Sequence, residues 1–247
     1  MNSHRTVLQI TLAAWLFAGA RSSDALVVSI HPTADTFITA ATQNGTSPDS
    51  NYGNLGAMTV AGSASGNGGE YLALLKFDPS GAVSQFNTEY GAGQWSLSLV
   101  TLRLAGNFAT QGAVPGNARF PAINGGAFSI NWFSNDSWTE TGATYKNFTP
   151  GAVLNLGNFS YVPPGDNVPV AWMLNTAPDF ISDISANGTV SLQLAPGDST
   201  VSYLFNTRTY STPANFPLLS LTAIPEPSAL ALLACGFALL LAARRTG

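Results

Sequence analysis

Carboxyl groups are the side chains in this sequence best suited to acid–base chemistry. Hydrolysis of a glycoside needs two of them about 5 to 9.5 Å apart, one with a raised pKa. Asp136 and Glu140 are close in sequence, whereas Glu70 and Asp78 flank a predicted strand, on one face but far apart. Neither spacing marks a catalytic pair, so we predict no catalytic residue. We expect Glu140 to stabilise the turn that follows Trp138 through hydrogen bonds to the backbone.

Aromatic rings beside amide side chains could bind a sugar, because a ring face packs against the apolar face of a sugar while polar groups bind its hydroxyls. Alternation along a strand points Trp132 and Phe133 to opposite sides of a sheet, so one ring of this pair could be exposed. The predicted sugar-binding residues are Trp132, Trp138, Glu140, Tyr145 and Tyr161. The alternative, that each ring fills the core, remains open.

A structural calcium ion is an open alternative to our prediction that the chain needs no cofactor. Calcium binds Asp carboxylates and carbonyl oxygens, and the weak candidate ligands Asp35, Asp49 and Asp78 lie in predicted loops or at strand ends. Spaced Asp and Asn residues of a calcium loop are missing from the sequence. A catalytic triad or a zinc site in the body would depend on His31 alone, and the only cysteine is Cys235.

The overall composition excludes two classes of protein. Charged residues make up 9% of the 247 residues, against roughly 25% in an average soluble protein. The net charge is −4, and no cluster of Lys and Arg predicts a nucleic-acid partner. Disordered chains are poor in apolar residues. A content of 45% hydrophobic and 11% aromatic residues therefore excludes a disordered chain.

Residues 1–25 have the pattern of a secretory signal peptide, which implies the secretion translocon as a partner. Arg5 precedes an apolar run from Val7 to Ala20, and small residues follow. Cleavage after Ala25 is favoured over cleavage after Ala20. The alternative is a membrane anchor, for which the apolar run is short, because a spanning helix needs roughly 20 apolar residues.

The last part of the chain, residues 224–247, combines three features. Pro225-Glu226-Pro227 is followed by an apolar segment, residues 229–243, and then by Arg244-Arg245. As a helix this segment would be about 22 Å long, short of a hydrocarbon core of about 30 Å. The two arginines would stay on the cytoplasmic side of a membrane.

This arrangement closely resembles the PEP-CTERM sorting signal of Gram-negative bacteria that make exopolysaccharide. Its matching residues are Pro225, Glu226, Pro227, Arg244 and Arg245. The resemblance implies a membrane transpeptidase of the exosortase type as partner, which recognises the motif and removes a transient transmembrane helix. The body would then pass to the cell surface or the extracellular matrix. An ordinary tail anchor is the alternative.

The body, residues 26–223, alternates apolar and polar residues with a period of two, which is typical of half-buried strands. We predict strands at 71–77, 95–104 with a bulge or a break near Val100, 128–132, 168–174, 190–194, 201–205 and 218–223. The turn at 196–198 predicts a hairpin between two of these strands. One short helix is predicted from Pro178 to Ser185. The fold class is therefore all-β, a single β-sandwich of the jelly-roll type.

The body also resembles a DNRLRE-type domain, a carbohydrate-binding-module-like β-sandwich. The matching segments, in the family's order, are Ala34 to Ile38, Asn51 to Leu55, Leu74 to Asp78, Val100 to Leu104, Trp138 to Thr141, Thr144 to Asn147, Phe205 to Arg208 and Phe216 to Leu221. The resemblance implies a secreted module, often attached to surface or polysaccharide-degrading proteins, with carbohydrate binding in some members.

Together these features predict a non-enzymatic protein delivered to the cell surface or matrix, where it associates with exopolysaccharide. Two alternatives remain. One is a small secreted polysaccharide lyase or glycoside hydrolase, and the other is a structural coat protein that binds no sugar.

Overall fold

The computed structural model describes residues 24–65, 68–107, 119–161, 167–186 and 188–226. Most of the predicted signal peptide, Pro227, the apolar segment 229–243 and the two terminal arginines lie outside these ranges. Within them, neither helix has the length and apolar character needed to cross a membrane.

The described residues form eleven strands and two α-helices. The strands are β1 (Leu26–Ile30), β2 (Pro32–Thr39), β3 (Ala57–Ala61), β4 (Tyr71–Phe77), β5 (Trp95–Ala105), β6 (Gly126–Phe133), β7 (Val153–Tyr161), β8 (Pro169–Leu174), β9 (Val190–Pro196), β10 (Ser202–Asn206) and β11 (Leu218–Pro225). The helices are α1 (Ser80–Tyr90) and α2 (Pro178–Ser185), and a short 3₁₀ turn covers Pro213–Asn215.

The strands form two antiparallel sheets, which confirms the all-β sandwich. One sheet has the order β1-β11-β5-β8, and the other has β10-β3-β4-β9-β6-β7 with β2 paired to β4. Aromatic rings from both sheets meet in the core: Phe128 of β6 packs edge-on against Trp172 of β8 at 5.3 Å, and Tyr161 of β7 contacts the same indole. This burial of large rings between the sheets is the main apolar contact of the sandwich.

The chain divides into two compact units. The larger one comprises residues 27–85 and 97–222 and contains most of both sheets. In the smaller one the ring of Phe86 packs against Trp95 at 5.0 Å, and the indole N–H of Trp95 donates to Asn87. The backbone N–H of Glu226 donates to the carbonyl of Gln94 at 2.8 Å.

Helix α2 is confirmed with its predicted bounds, but the prediction of a single helix is incomplete because α1 also forms. Asp78 accepts a hydrogen bond from the backbone N–H of Ser80 at 2.9 Å and so caps the start of α1. The bonds from Ser80 hold the pKa of Asp78 below its usual value. The buried residues of α1, Ala82, Val83 and Phe86, have helical spacing, a signal that the sequence analysis did not use.

One prediction about the strands is wrong. The strands β9 and β10 do not form a hairpin, since β9 pairs with β4 and β6 whereas β10 pairs with β3. Asp198 lies in the segment that connects β9 to β10. Its carboxylate accepts hydrogen bonds from Val201 N and from Ala127 N of β6, so it links this segment to β6.

Near Val100, where a bulge or a break is predicted, strand β5 runs without a break from Trp95 to Ala105. Within β5 the alternation of buried and exposed residues changes phase between Leu97 and Val100. The pairing with β8 begins at Val100.

Candidate functional site

The connection between β6 and β7, residues 134–152, brings three of the predicted site residues together; we call it the 134–152 loop. It covers the outer face of the seven-stranded sheet, where Ile38, Leu74 and Phe133 are buried beneath it. Trp138 and Ala143 complete this apolar cluster. Strand β4 is therefore apolar on both faces because one face lies in the sandwich core and the other lies under the loop.

The loop is held in shape by its own polar side chains. The amide of Asn135 donates to the carbonyl of Thr149 at 2.6 Å and accepts from Ser137 N at 3.0 Å. Asn147 accepts from Thr144 N at 2.8 Å and donates to the carbonyl of Gly142 at 2.9 Å. These bonds orient the two amides within the loop.

Lys76 of β4 connects the loop to the sheet. Its ammonium group donates to the carbonyl oxygens of Asp136, at 2.8 Å, and of Trp138, and lies 4.6 Å from the centroid of the Trp138 ring. Burial lowers the pKa of Lys76, while the Asp136 carboxylate acts in the opposite direction. The lysine thus supplies two charge-assisted hydrogen bonds and a cation–π contact to one loop.

Ser191 of β9 adds a second connection. It accepts from the indole N–H of Trp138 at 2.9 Å and donates to the carboxylate of Asp136 at 2.5 Å. Burial raises the pKa of Asp136, against the effect of the bond from Ser191. Ser191 is fully buried, so its hydroxyl positions the loop and cannot reach a solvent-borne substrate.

A depression of about 260 Å³ opens on the loop surface. Its lining combines two amides, three hydroxyls and two aromatic rings, and none of the described lining residues is charged. The lining residues are Asn135, Ser137, Trp138, Thr139, Gly142, Ala143, Asn147, Phe148 and Thr149. This is the combination of groups that binds sugar hydroxyls and packs against a sugar ring.

The tryptophans and Tyr161 do not form an exposed aromatic platform. Trp132, Trp138 and Tyr161 are 8%, 7% and 4% exposed, so their ring faces pack inside the protein. The indole N–H of Trp132 donates to Asp183 at 2.8 Å. Only Trp138 lies at the depression. Sequence alternation could not reveal this burial, because both faces of the seven-stranded sheet are covered here.

Tyr145 and Phe148 are the half-buried rings of the loop. The hydroxyl of Tyr145 donates to Glu70 at 2.8 Å, and this bond raises the pKa of Tyr145. Phe148, which the sequence analysis did not select, packs edge-on against Phe133 at 5.2 Å and lines the depression. The sequence signal that could have identified Phe148 is its position in a polar loop, between Asn147 and Thr149.

Glu140 joins the loop to a buried group of charges. Its carboxylate forms an ion pair with Arg208, and the backbone N–H of Arg208 donates to Asp35 of β2 at 2.6 Å. The carbonyl of Glu140 accepts from the amide of Asn51 at 2.7 Å. The sequence predicts that Glu140 stabilises the turn through hydrogen bonds to the backbone. This prediction is wrong for the side chain, which forms an ion pair with Arg208 instead.

Gly53 shows how closely the chain passes this group. A Cβ atom at Gly53 would lie 2.1 Å from the carbonyl oxygen of Glu140, so no larger residue fits without moving the backbone. The segment from Asn51 to Leu55 therefore packs directly against the 134–152 loop.

Two acids share one arginine in this group. Asp35 is fully buried, and burial raises its pKa to about 7, with the charge of Glu140 adding to the rise and the bond from Arg208 N opposing it. One oxygen of Asp35 and one of Glu140 are buried and accept no hydrogen bond from the described residues. A proton on Asp35, donated to Glu140, satisfies both oxygens.

The three predicted calcium ligands do not converge. Asp35 lies in the core, Asp49 forms an exposed ion pair with Lys146 at 2.7 Å, and Asp78 caps α1. The described part of the chain brings no three His, Cys, Asp or Glu side chains together in a way that could hold a metal ion.

We predict that Asp35 makes the protein less stable as the pH rises. Its pKa is about 7 in the folded state and about 3.8 in the unfolded state, so the folded state holds the proton more tightly. This contribution to the free energy of unfolding is complete below about pH 4 and is lost by about pH 7 to 8, at about 1.4 kcal/mol for each pKa unit. Urea unfolding across this range measures it.

The control is Asp35→Asn, which keeps the acceptor for Arg208 N and offers a permanent donor to Glu140. This variant should lose the Asp35 component of the pH slope and equal or exceed the wild type in stability at pH 8. Identical slopes for the two proteins would contradict the shared proton. Added calcium should leave the melting temperature of both proteins unchanged.

We predict that Lys76→Met destabilises the protein by about 2 kcal/mol, because two part-buried carbonyls lose a charged donor. Thermal unfolding measures the loss, and limited proteolysis should cut the 134–152 loop faster. Lys146→Met is the matched control. The side chains of Lys146 and Asp49 are 63% and 62% exposed, so removing this pair should cost at most about 1 kcal/mol. Equal losses in the two variants would exclude the positioning role of Lys76.

No protein-family model matches this chain, and no curated protein matches it either. The candidate site is an uncharged depression on a loop fixed to the sheet by Lys76, Ser191 and the Glu140–Arg208 ion pair.

Proposed function

We propose that this chain is an exported, non-catalytic protein of the cell surface or extracellular matrix that binds extracellular polysaccharide. The observation that carries the proposal is the depression on the 134–152 loop, with its amides, hydroxyls and aromatic rings. Sugar hydroxyls both donate and accept hydrogen bonds, as do the hydroxyls of Ser137, Thr139 and Thr149 at its exposed parts.

The rigidity of the loop supports binding. Both amides are already bonded within the loop, and Lys76 and Ser191 attach it to the sheet. A surface fixed before the ligand arrives loses little conformational entropy on binding. Phe148 is half-buried, so part of its ring remains open to a sugar.

The state of the nearby carboxylates supports a non-catalytic role. Asp136 bonds Ser191 and Glu140 pairs with Arg208, and neither residue lines the depression. One observation favours a polysaccharide lyase or hydrolase as second candidate: Asp136 and Asp183 both have raised pKa values, mainly through burial, and the charge of Asp183 adds to the rise at Asp136.

Export and sorting are the second part of the proposal. The Pro-Glu-Pro motif begins within the last strand, since Pro225 is both its first residue and the final residue of β11. A processing enzyme would thus cut next to the folded body. The proposed partners are the secretion translocon and an exosortase-type transpeptidase, with a Gram-negative cell surface as the destination. A coat protein without sugar binding would share this route.

We predict that the purified full-length chain is retarded in gels that contain its polysaccharide and releases no reducing ends from it. Phe148→Leu should weaken binding roughly fivefold, because the ring contact is lost while apolar packing is kept. Phe159→Leu, at a half-buried ring of β7 outside the depression, is the control and should bind normally. Retention of a folded Phe148→Leu variant at wild-type strength would exclude the depression, and new reducing ends would favour the enzyme.

In a Gram-negative host with an exosortase, we predict that Glu226→Ala leaves the precursor uncleaved in the inner membrane, whereas the wild type reaches the surface in shortened form. Glu89→Ala, at an exposed acid of α1, is the control for loss of one carboxylate. Immunoblots of cell fractions measure both. Intact wild-type protein in the inner membrane would contradict the sorting route.

A further inference from the structure

The charge pattern around the depression narrows its ligand class, an inference that rests on the proposed function. We infer that the depression binds uncharged sugar residues and excludes uronic acids and sulfated sugars. Its described lining carries no charged side chain. An anionic sugar is bound most strongly where a cation is free to pair with it.

Every described cation that borders the loop already has partners. Lys146, beside Asn147, pairs with Asp49 at 2.7 Å. Arg208 pairs with Glu140, which lies between Thr139 and Gly142. These two pairs leave no net positive charge next to the depression.

The ammonium group of Lys76 is also bonded within the protein. It donates to the carbonyls of Asp136 and Trp138 and lies over the indole of Trp138. The Asp136 carboxylate is close enough to shift the pKa of Lys76 upward against the effect of burial. Turning the ammonium group toward a ligand would break both bonds that hold the loop.

A carboxylate or sulfate entering the depression would lose water and gain no countercharge. Desolvating an unpaired charge is costly, and the carboxylates of Asp136 and Glu140 near the site would add repulsion. An uncharged sugar avoids this cost, because hydroxyls of Ser137, Thr139 and Thr149 replace the water bonded to its own hydroxyls.

Gly142 lies close to one of the lining hydroxyls. A Cβ atom at this position would lie 2.5 Å from the hydroxyl oxygen of Thr139. A side chain here would therefore require the Thr139 hydroxyl to turn away from its present position.

The test compares paired polymers with one full-length protein. Affinity gels contain dextran, mannan or galactan as uncharged probes, and dextran sulfate or alginate as anionic probes. The wild type should be retarded by at least one uncharged polymer and by neither anionic one. Thr149→Lys should gain retardation by alginate severalfold, and high salt should abolish this gain.

Thr212→Lys is the matched control, since it adds the same charge at an exposed threonine outside the lining; it should gain nothing. Retardation of the wild type by an anionic polymer overturns the inference on charge but leaves the proposed polysaccharide binding intact. Retardation by none of the five polymers counts against the proposed binding itself. Equal gains for the two lysine variants show that the alginate response is not local to the depression and overturn the inference.

Discussion

Apolar packing of the 134–152 loop on the outer face of the seven-stranded sheet is the contact on which the rest of the site depends. It buries Ile38, Leu74 and Phe133 beneath Trp138 and Ala143, so leaving this face bare would expose a large apolar surface to water. The polar connections then select one position for the loop. Each comes from a different part of the sandwich: Lys76 from β4, Ser191 from β9 and Arg208 just after β10.

Few residues of this chain are charged, and the described charged groups near the 134–152 loop form hydrogen bonds or ion pairs within the protein. The pair of acids at Arg208 is the clearest case, because burial of Asp35 raises its pKa to about 7. Two buried carboxylates beside one guanidinium leave one negative charge in excess. A proton on Asp35 removes that excess.

The period-two pattern predicted β4, β6 and β11 well, and the helix α2 was visible from its apolar stripe. Local signals failed where long-range pairing decides. The turn at Asp198 suggested a hairpin, yet Leu192 pairs with Leu75 on one side and Trp132 on the other. The sequence pointed to Trp138, Glu140 and Tyr145 as neighbours but could not show their burial, since that depends on a sheet face covered by a loop.

The same burial explains why the candidate site has its chemical character. Once Lys76 and Glu140 are bonded within the protein, the groups left at the loop surface are hydroxyls, amides already fixed in direction and the edge of Phe148. Such groups distinguish ligands by shape and hydrogen bonding rather than by charge. Affinity for an uncharged, hydroxyl-rich polymer would therefore depend little on salt.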